Sequence, residues 1–240
     1  RFRGEQMLYH SERIYGIDIS KYQHVHKRRV YGIDWRNLRI TRLGHTADRN
    51  ALGAVDYPVS FVYIKSTEGL TVFNPYYTRD VRAARRYGFP VGAYHFFSTR
   101  PAMRQADYFL KKSRLQKGDL PPMLDVELSD RRIAAMGGRD VLFREMLVWL
   151  KEVGRRSGTT PIIYVSQDFV NRYMPFAPEE LKAYPVWVAR YGEYKPYVHL
   201  LYWQLSPDGR VRGIQGDVDI DVFNGSEEQF KRYLRTQTVK

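Results

Sequence analysis

Eight apolar runs of strand length recur along the chain, and several are continuous rather than alternating. They lie at Ile14–Ile19, Val59–Lys65, Pro90–Phe96, Pro122–Glu127, Pro161–Val165, Pro185–Ala189, Leu200–Gln204 and Val218–Ile220. A continuous apolar strand must be covered on both faces, which is the condition of a parallel sheet flanked by helices. Proline opens or precedes many of the runs, where its missing N–H is tolerated. Helical spacing fills the early gaps. Asn74–Tyr87 has an Asn-Pro start and stops at Gly88, Pro101–Ser113 and Arg139–Arg156 follow, and Glu227–Leu234 predicts a C-terminal helix. Gaps in the last third are shorter and carry less helix. The fold class expected is therefore α/β: a mainly parallel barrel whose later helices are reduced. The alternative, an open doubly wound sheet that binds a nucleotide, lacks a Gly-rich phosphate loop after the first strand. Leu43–Pro58 fits no clean element and reads as an inserted surface loop.

The 240 residues suit one sizeable domain, taken as 14–235, with an N-terminal extension at 1–13 and a tail at 236–240. The extension reads as what is left after a leader or anchor. No apolar run reaches the roughly 18 residues needed to span a bilayer. The absence of cysteine excludes disulfides and thiolate metal sites. A net charge of +13 implies an anionic partner: nucleic acid, anionic lipid or a wall polymer. The basic clusters His26-Lys27-Arg28-Arg29, Arg85-Arg86, Lys111-Lys112 and Arg155-Arg156 read most simply as solvated faces. Tyrosine, at 19 residues, exceeds what a core needs, and tyrosine and tryptophan faces stack on sugars or bases.

The run Met123-Leu124-Asp125-Val126-Glu127 carries the chemistry. Strand side chains alternate, so Asp125 and Glu127 share one face while Val126 points away. Two acids on one buried face are the raw material for general acid/base work on a glycosidic bond. Barrel chemistry sits at the C-terminal strand ends, and the other acids fit that rule. Asp18 ends the first run and Asp219 lies in the last. First and last strands are neighbours in a closed barrel, so four acids converge on one mouth. Each has a plainer reading. Asp18 would cap the turn before Ser20. Asp217, Asp219 and Asp221 alternate and would bind a hard cation, although a calcium loop's Gly and terminal Glu are not at the required spacing. Asp125 and Glu127 would form salt bridges with some of the 39 basic residues.

With those residues in place, the chain resembles the glycoside hydrolase family 25 muramidases, the Chalaropsis-type lysozymes. The resemblance rests on ordered blocks: Tyr15–Gln23 (YGIDISKYQ), Phe61–Leu70 (FVYIKSTEGL), Tyr87–Phe97 (YGFPVGAYHFF), Pro122–Glu127 (PMLDVE), Pro161–Ser166 (PIIYVS), Tyr184–Tyr191 (YPVWVARY), Tyr202–Leu205 (YWQL) and Gly216–Phe223 (GDVDIDVF). It implies a TIM-like incomplete β/α barrel of (β/α)5(β)3 type. It implies hydrolysis of the β-1,4 bond between N-acetylmuramic acid and N-acetylglucosamine in peptidoglycan, with Glu127 as general acid and Asp125, Asp18 and Asp219 completing the cluster. No metal or organic cofactor is expected. The partners expected are peptidoglycan strands and the anionic envelope, with no nucleic acid and no obligate protein partner, so a monomer acting outside the cell or in the envelope. The chain departs from the family pattern in the long basic segment Val25–Pro58, and in Asp221, where the family more often carries Asn.

Burial and Asp125 would keep Glu127 protonated at rest, ready to donate to the leaving oxygen. Either the substrate's N-acetyl oxygen then attacks, with Asp125 orienting it, or a carboxylate activates water across a gap of about 6.5–9.5 Å. Tyr94, Tyr164, Trp187 and Trp203 are candidates for sugar contact, as are Lys65 and Gln204 for polar groups; barrel packing is the equal alternative for each aromatic. His95, flanked by Tyr94 and Phe96, reads as a satisfied core histidine. Two other functions remain in view: a glycan-binding protein on a catalytically dead barrel, and a glycosidase for another N-acetylated glycan such as chitin.

Overall fold

The computed structural model describes residues 12–45, 51–189 and 198–240. Residues 1–11 of the expected N-terminal extension, and Arg190 and Tyr191 of the sixth block, lie outside the described residues. Eight strands close a barrel: β1 Ile14–Ile19, β2 Val62–Glu68, β3 Val91–Phe96, β4 Met123–Asp125, β5 Ile162–Ser166, β6 Pro185–Ala189, β7 His199–Arg212 and β8 Val218–Phe223. Each neighbouring pair from β1 round to β7 is parallel. β8 is antiparallel to both β7 and β1, which it joins to close the ring. The link from β7 to β8, residues 213–217, is too short for the crossover that a parallel strand would need, so β8 must turn back.

Helices follow β2 to β5: α1 Tyr77–Arg86, α2 Ala102–Ser113, α3 Asp130–Ala135, α4 Arg139–Ser157, α5 Gln167–Arg172 and α6 Glu179–Lys182. The last helix, α7 Glu227–Thr236, follows β8. Among the described residues, the crossover after β1 contains no α-helix. It holds two 3-10 turns, a small hairpin (Val25–His26 with Arg29–Val30) and a long one (Arg39–His45 with Ala51–Pro58). The long hairpin corrects the surface loop expected at Leu43–Pro58. Its first strand pairs with the far end of β7, with Val211 opposite Ile40, and so extends the barrel sheet. Ile40 and Leu43 are buried against the outer face, with Trp35 and Leu38 beside them. A half-buried strand with arginine and threonine on its other face gives a weak apolar signal, so its pairing on both sides, to β7 and to Ala51–Pro58, does not show in the sequence. The C-terminal tail is also docked: Val239 is buried and exchanges backbone hydrogen bonds with Gly118 and Asp119.

Strand alternation sorts the side chains into two cores. Ile17, Ile19, Val62, Ile64, Ile163 and Val188 face outwards, under the helices. Phe61, Tyr63, Trp187 and Tyr202 fill the barrel axis. Two glycines make that filling possible. A Cβ on Gly16 would lie 2.3 Å from the Phe61 ring, and one on Gly92 2.5 Å from Tyr63. Phe230 of α7 packs on Phe61 and Phe223 and plugs the lower end. The opposite end stays open. His95 meets its expectation: fully buried, it contacts the Thr67 hydroxyl at 2.6 Å and Gln105 Oε1 at 2.9 Å. Burial lowers its pKa to about 4, so the ring is neutral.

Candidate active site

The open end is a groove of about 770 Å³ whose floor carries Asp18, Asp125, Glu127 and Asp219. Asp18 comes up at the end of β1 and Asp125 at the end of β4, as the strand-end rule demands. Asp219 reaches the same mouth for the opposite reason. Because β8 runs backwards, its start lies there, and Asp219 stands directly across from Asp18 in the ladder. Ser20, not Asp18, caps the turn at Lys21–Gln23, in a capping box with Gln23. Asp18 is thereby left to the groove. Asp217 is turned to Arg210 at 3.0 Å, and its carbonyl accepts from the Gln23 amide.

Glu127 lies two residues beyond Asp125, past the strand end, with Val126 packed into the outer core between them. The shared face is as expected, but the burial is not. Asp125 is buried whereas Glu127 is exposed to the groove. Desolvation therefore falls on Asp125. Burial, and then the charge of Glu127 in hydrogen-bonding reach, hold the Asp125 carboxyl well above its ordinary range. No described lysine or arginine forms an ion pair with Asp125 or Glu127. Lys65, the cation in the groove, is bound to Glu68 at 2.7 Å, and its charge opposes the rise at Asp125 only in part.

A second set of carboxyls faces this pair. Burial raises Asp18 well above its usual range, followed by Asp221 in hydrogen-bonding reach. Asp219 is pushed up to about 10, by burial first and Asp18 next, with the Gln204 side chain opposing. Asp221 sits beneath them with no exposed surface, and it too is raised by burial. Neither of its carboxylate oxygens meets a donor at hydrogen-bond geometry. Carboxyls crowded in so dry a place resist ionisation, which holds Asp18, Asp219 and Asp221 above the ordinary range. The extra charge expected at Asp221 is thus replaced by a retained proton.

Of the expected sugar contacts, Tyr94, Tyr164, Lys65 and Gln204 line the groove. Trp187 does not. It has no exposed surface and stacks on Tyr202 in the barrel axis, so it offers no face to a ring. Trp203 points to the outer face, where the Arg13 guanidinium lies 5.9 Å from its ring. Both tryptophans are one register step or one layer from the mouth, a difference that strand ends read from sequence do not resolve. Tyr22, Gln23, Gln167 and Asp168 line the groove without having been singled out. The Ser20-x-x-Gln23 capping signature was legible and places Tyr22 and Gln23 on the turn after β1. Gln167 and Asp168 open α5, and nothing in their pattern points to the groove.

The model of glycosyl hydrolases family 25 matches residues 17–214, which takes in seven of the barrel strands. The uncharacterized protein YegX of Escherichia coli O157:H7 is 33% identical over 225 residues, 92% of this chain and 73% of its own length. Lysozyme M1 of Streptomyces globisporus is 32% identical over 184 residues, 70% of this chain and 61% of its own. A family 25 glycosyl hydrolase from Bacillus anthracis superposes with a TM-score of 0.72 at 23% identity, covering 96% of this chain and 99% of that one, a likeness of fold. On the matched residues and the barrel that carries them, the chain belongs to glycosyl hydrolases family 25.

Proposed function

We propose that this glycoside hydrolase is a muramidase, cutting the β-1,4 bond between N-acetylmuramic acid and N-acetylglucosamine in peptidoglycan. The observation that carries the reading is the carboxyl pair Asp125–Glu127 at the mouth of a glycan-sized groove, one member buried and the other exposed. The relatives named lysozyme and muramidase supply the substrate class. Glu127 is the general acid. Its exposed carboxyl delivers a proton to the leaving glycosidic oxygen, and a sugar seated in the groove removes the water around it as it does so. Positive charge then develops at the anomeric carbon, above the Asp18 and Asp219 carboxyls.

The burial of Asp125 supports one route over the other. A buried carboxyl on the groove floor is poorly placed to activate bulk water, the role an inverting pair needs. Asp125 is instead assigned to the substrate's acetamido group, whose oxygen attacks the anomeric carbon. Tyr94 and Tyr164 shape the floor of the groove around the sugar. A wall substrate places the enzyme outside the cell or in the envelope, acting as a monomer on an anionic surface that its +13 charge favours at low salt. The test is Glu127→Gln. Clearing of wall suspensions should fall about 10²–10⁴-fold, the usual share of a general acid, while wall binding persists. Equal clearing by wild type and variant would remove the assignment.

A further inference from the structure

We propose that the small hairpin at Val25–Val30 and the arginine face of α1 form a second binding surface, one that takes a phosphodiester polymer attached to the glycan held in the groove. The inference rests on the glycan reading of that groove. His26 pairs with Arg29, so Lys27 and Arg28 alone make the turn. Both have positive φ, 46° and 67°. That is the two-residue turn which favours Asn-Gly, because a Cβ is strained at both positions. Two large cations stand where the turn least accommodates them. The hairpin's own packing offers nothing in return, since residues 25–30 are all exposed.

What holds the hairpin is its base. His24 is fully buried, with Nε2 2.5 Å from Asp80 Oδ2, Nδ1 2.9 Å from the Tyr31 carbonyl and the ring stacked on Tyr76. Asp80 is the only carboxylate on α1, and this contact turns it inward. The outward face of α1 is therefore left to Arg79, Arg82 and Arg86, which line a shallow hollow. Arg82 and Arg86 form no ion pair with a described carboxylate; Arg85 is the helix's paired arginine, bound to Asp119 at 2.6 Å. One buried anchor thus ties a strained cationic turn to the helix that carries these arginines, with Arg79 Nη2 also 3.4 Å from His24 Nδ1.

The chemistry of the partner follows from the cations and their place. Guanidinium forks match phosphate oxygens two at a time, and five of the six cations are arginine: Arg28, Arg29, Arg79, Arg82 and Arg86 beside Lys27. Ser20, Tyr22 and Gln23 line the groove, and the hairpin begins two residues later. An anionic chain tethered to the bound glycan passes over it, which favours a wall polymer over a bilayer.

The experiment uses the full chain and soluble poly(glycerol phosphate) at 0.15 M salt. The double variant Lys27→Asn, Arg28→Gly installs the pair the turn prefers, so its thermal stability should equal or exceed that of wild type. Its affinity for the polymer should fall at least tenfold, as should that of Arg82→Gln, Arg86→Gln. Both variants should cleave phosphate-bearing wall several-fold more slowly and phosphate-stripped wall at the wild-type rate. Absent wild-type binding, or equal binding by the variants, would overturn the proposal. So would selective binding to phosphatidylglycerol vesicles or duplex DNA instead. Failure of wild type to cleave phosphate-stripped wall would count against the muramidase reading and leave the polymer measurement standing.

Discussion

Replacing Asp221 by Asn should make this protein more stable at neutral pH and leave it nearly unchanged in acid. Asp221 has no exposed surface, neither of its oxygens has a partner at hydrogen-bond geometry, and the Asp18 and Trp187 side chains oppose the effect of burial only in part. Its ordinary value is 3.8 and the fold raises it well above that. The fold therefore binds a proton that the unfolded chain releases, and stability declines as pH rises through and beyond 3.8. The slope is about 1.4 kcal/mol per pH unit for one proton, so the cost at pH 7 is at most about 4 kcal/mol. An asparagine amide fills nearly the same space and is neutral at every pH, so it has no proton to retain. The variant should gain about 2–4 kcal/mol at pH 7 and close to nothing at pH 4. His95 acts in the opposite sense. Its lowered value means that stability is lost as pH falls from 6.5 towards 4, but this cancels in the difference between variant and wild type. Urea unfolding at pH 4, 5, 6 and 7 reads that difference directly. A gain independent of pH, or a loss at pH 7, would refute the retained-proton argument.

Four further outcomes follow from the same structure. Trp187→Ala should destabilise the fold by about 3–5 kcal/mol, since the ring fills the barrel axis, and Trp203→Ala should leave KM for wall fragments within twofold. Ile40→Ala should cost about 2–5 kcal/mol, measured by denaturant unfolding, because the long hairpin belongs to the core rather than to a surface loop. NMR of the first products should show the β-anomer, as attack by the substrate's own N-acetyl group requires; an α-anomer would return Asp125 or another acid to the role of base.

Strand positions were legible because parallel barrel strands are apolar on both faces, and Ile14–Ile19 and Pro185–Ala189 are found at the expected residues. The convergence of Asp18 and Asp219 followed from closure alone. The reversal of β8 did not show, since a strand reads the same in either direction and only the short 213–217 link carries the signal. The relative burial of Asp125 and Glu127 was hidden too. It depends on β4 ending at Asp125, one residue before the chain turns outward, and Pro122–Glu127 reads as continuous. The tryptophans were misplaced because an inward residue and an outward residue differ by one register step. Trp187 and Trp203 lie within neighbouring strands, where a β-bulge shifts the register after Val186.

The most direct test of the central claim is the chemistry of the new ends. Purified peptidoglycan digested by the enzyme, reduced with borohydride and hydrolysed, should yield N-acetylmuramic acid derivatives as the reduced sugar, identified by mass spectrometry. Reduced N-acetylglucosamine, or equal release from chitin oligomers, would contradict the assignment of this groove to a muramidase.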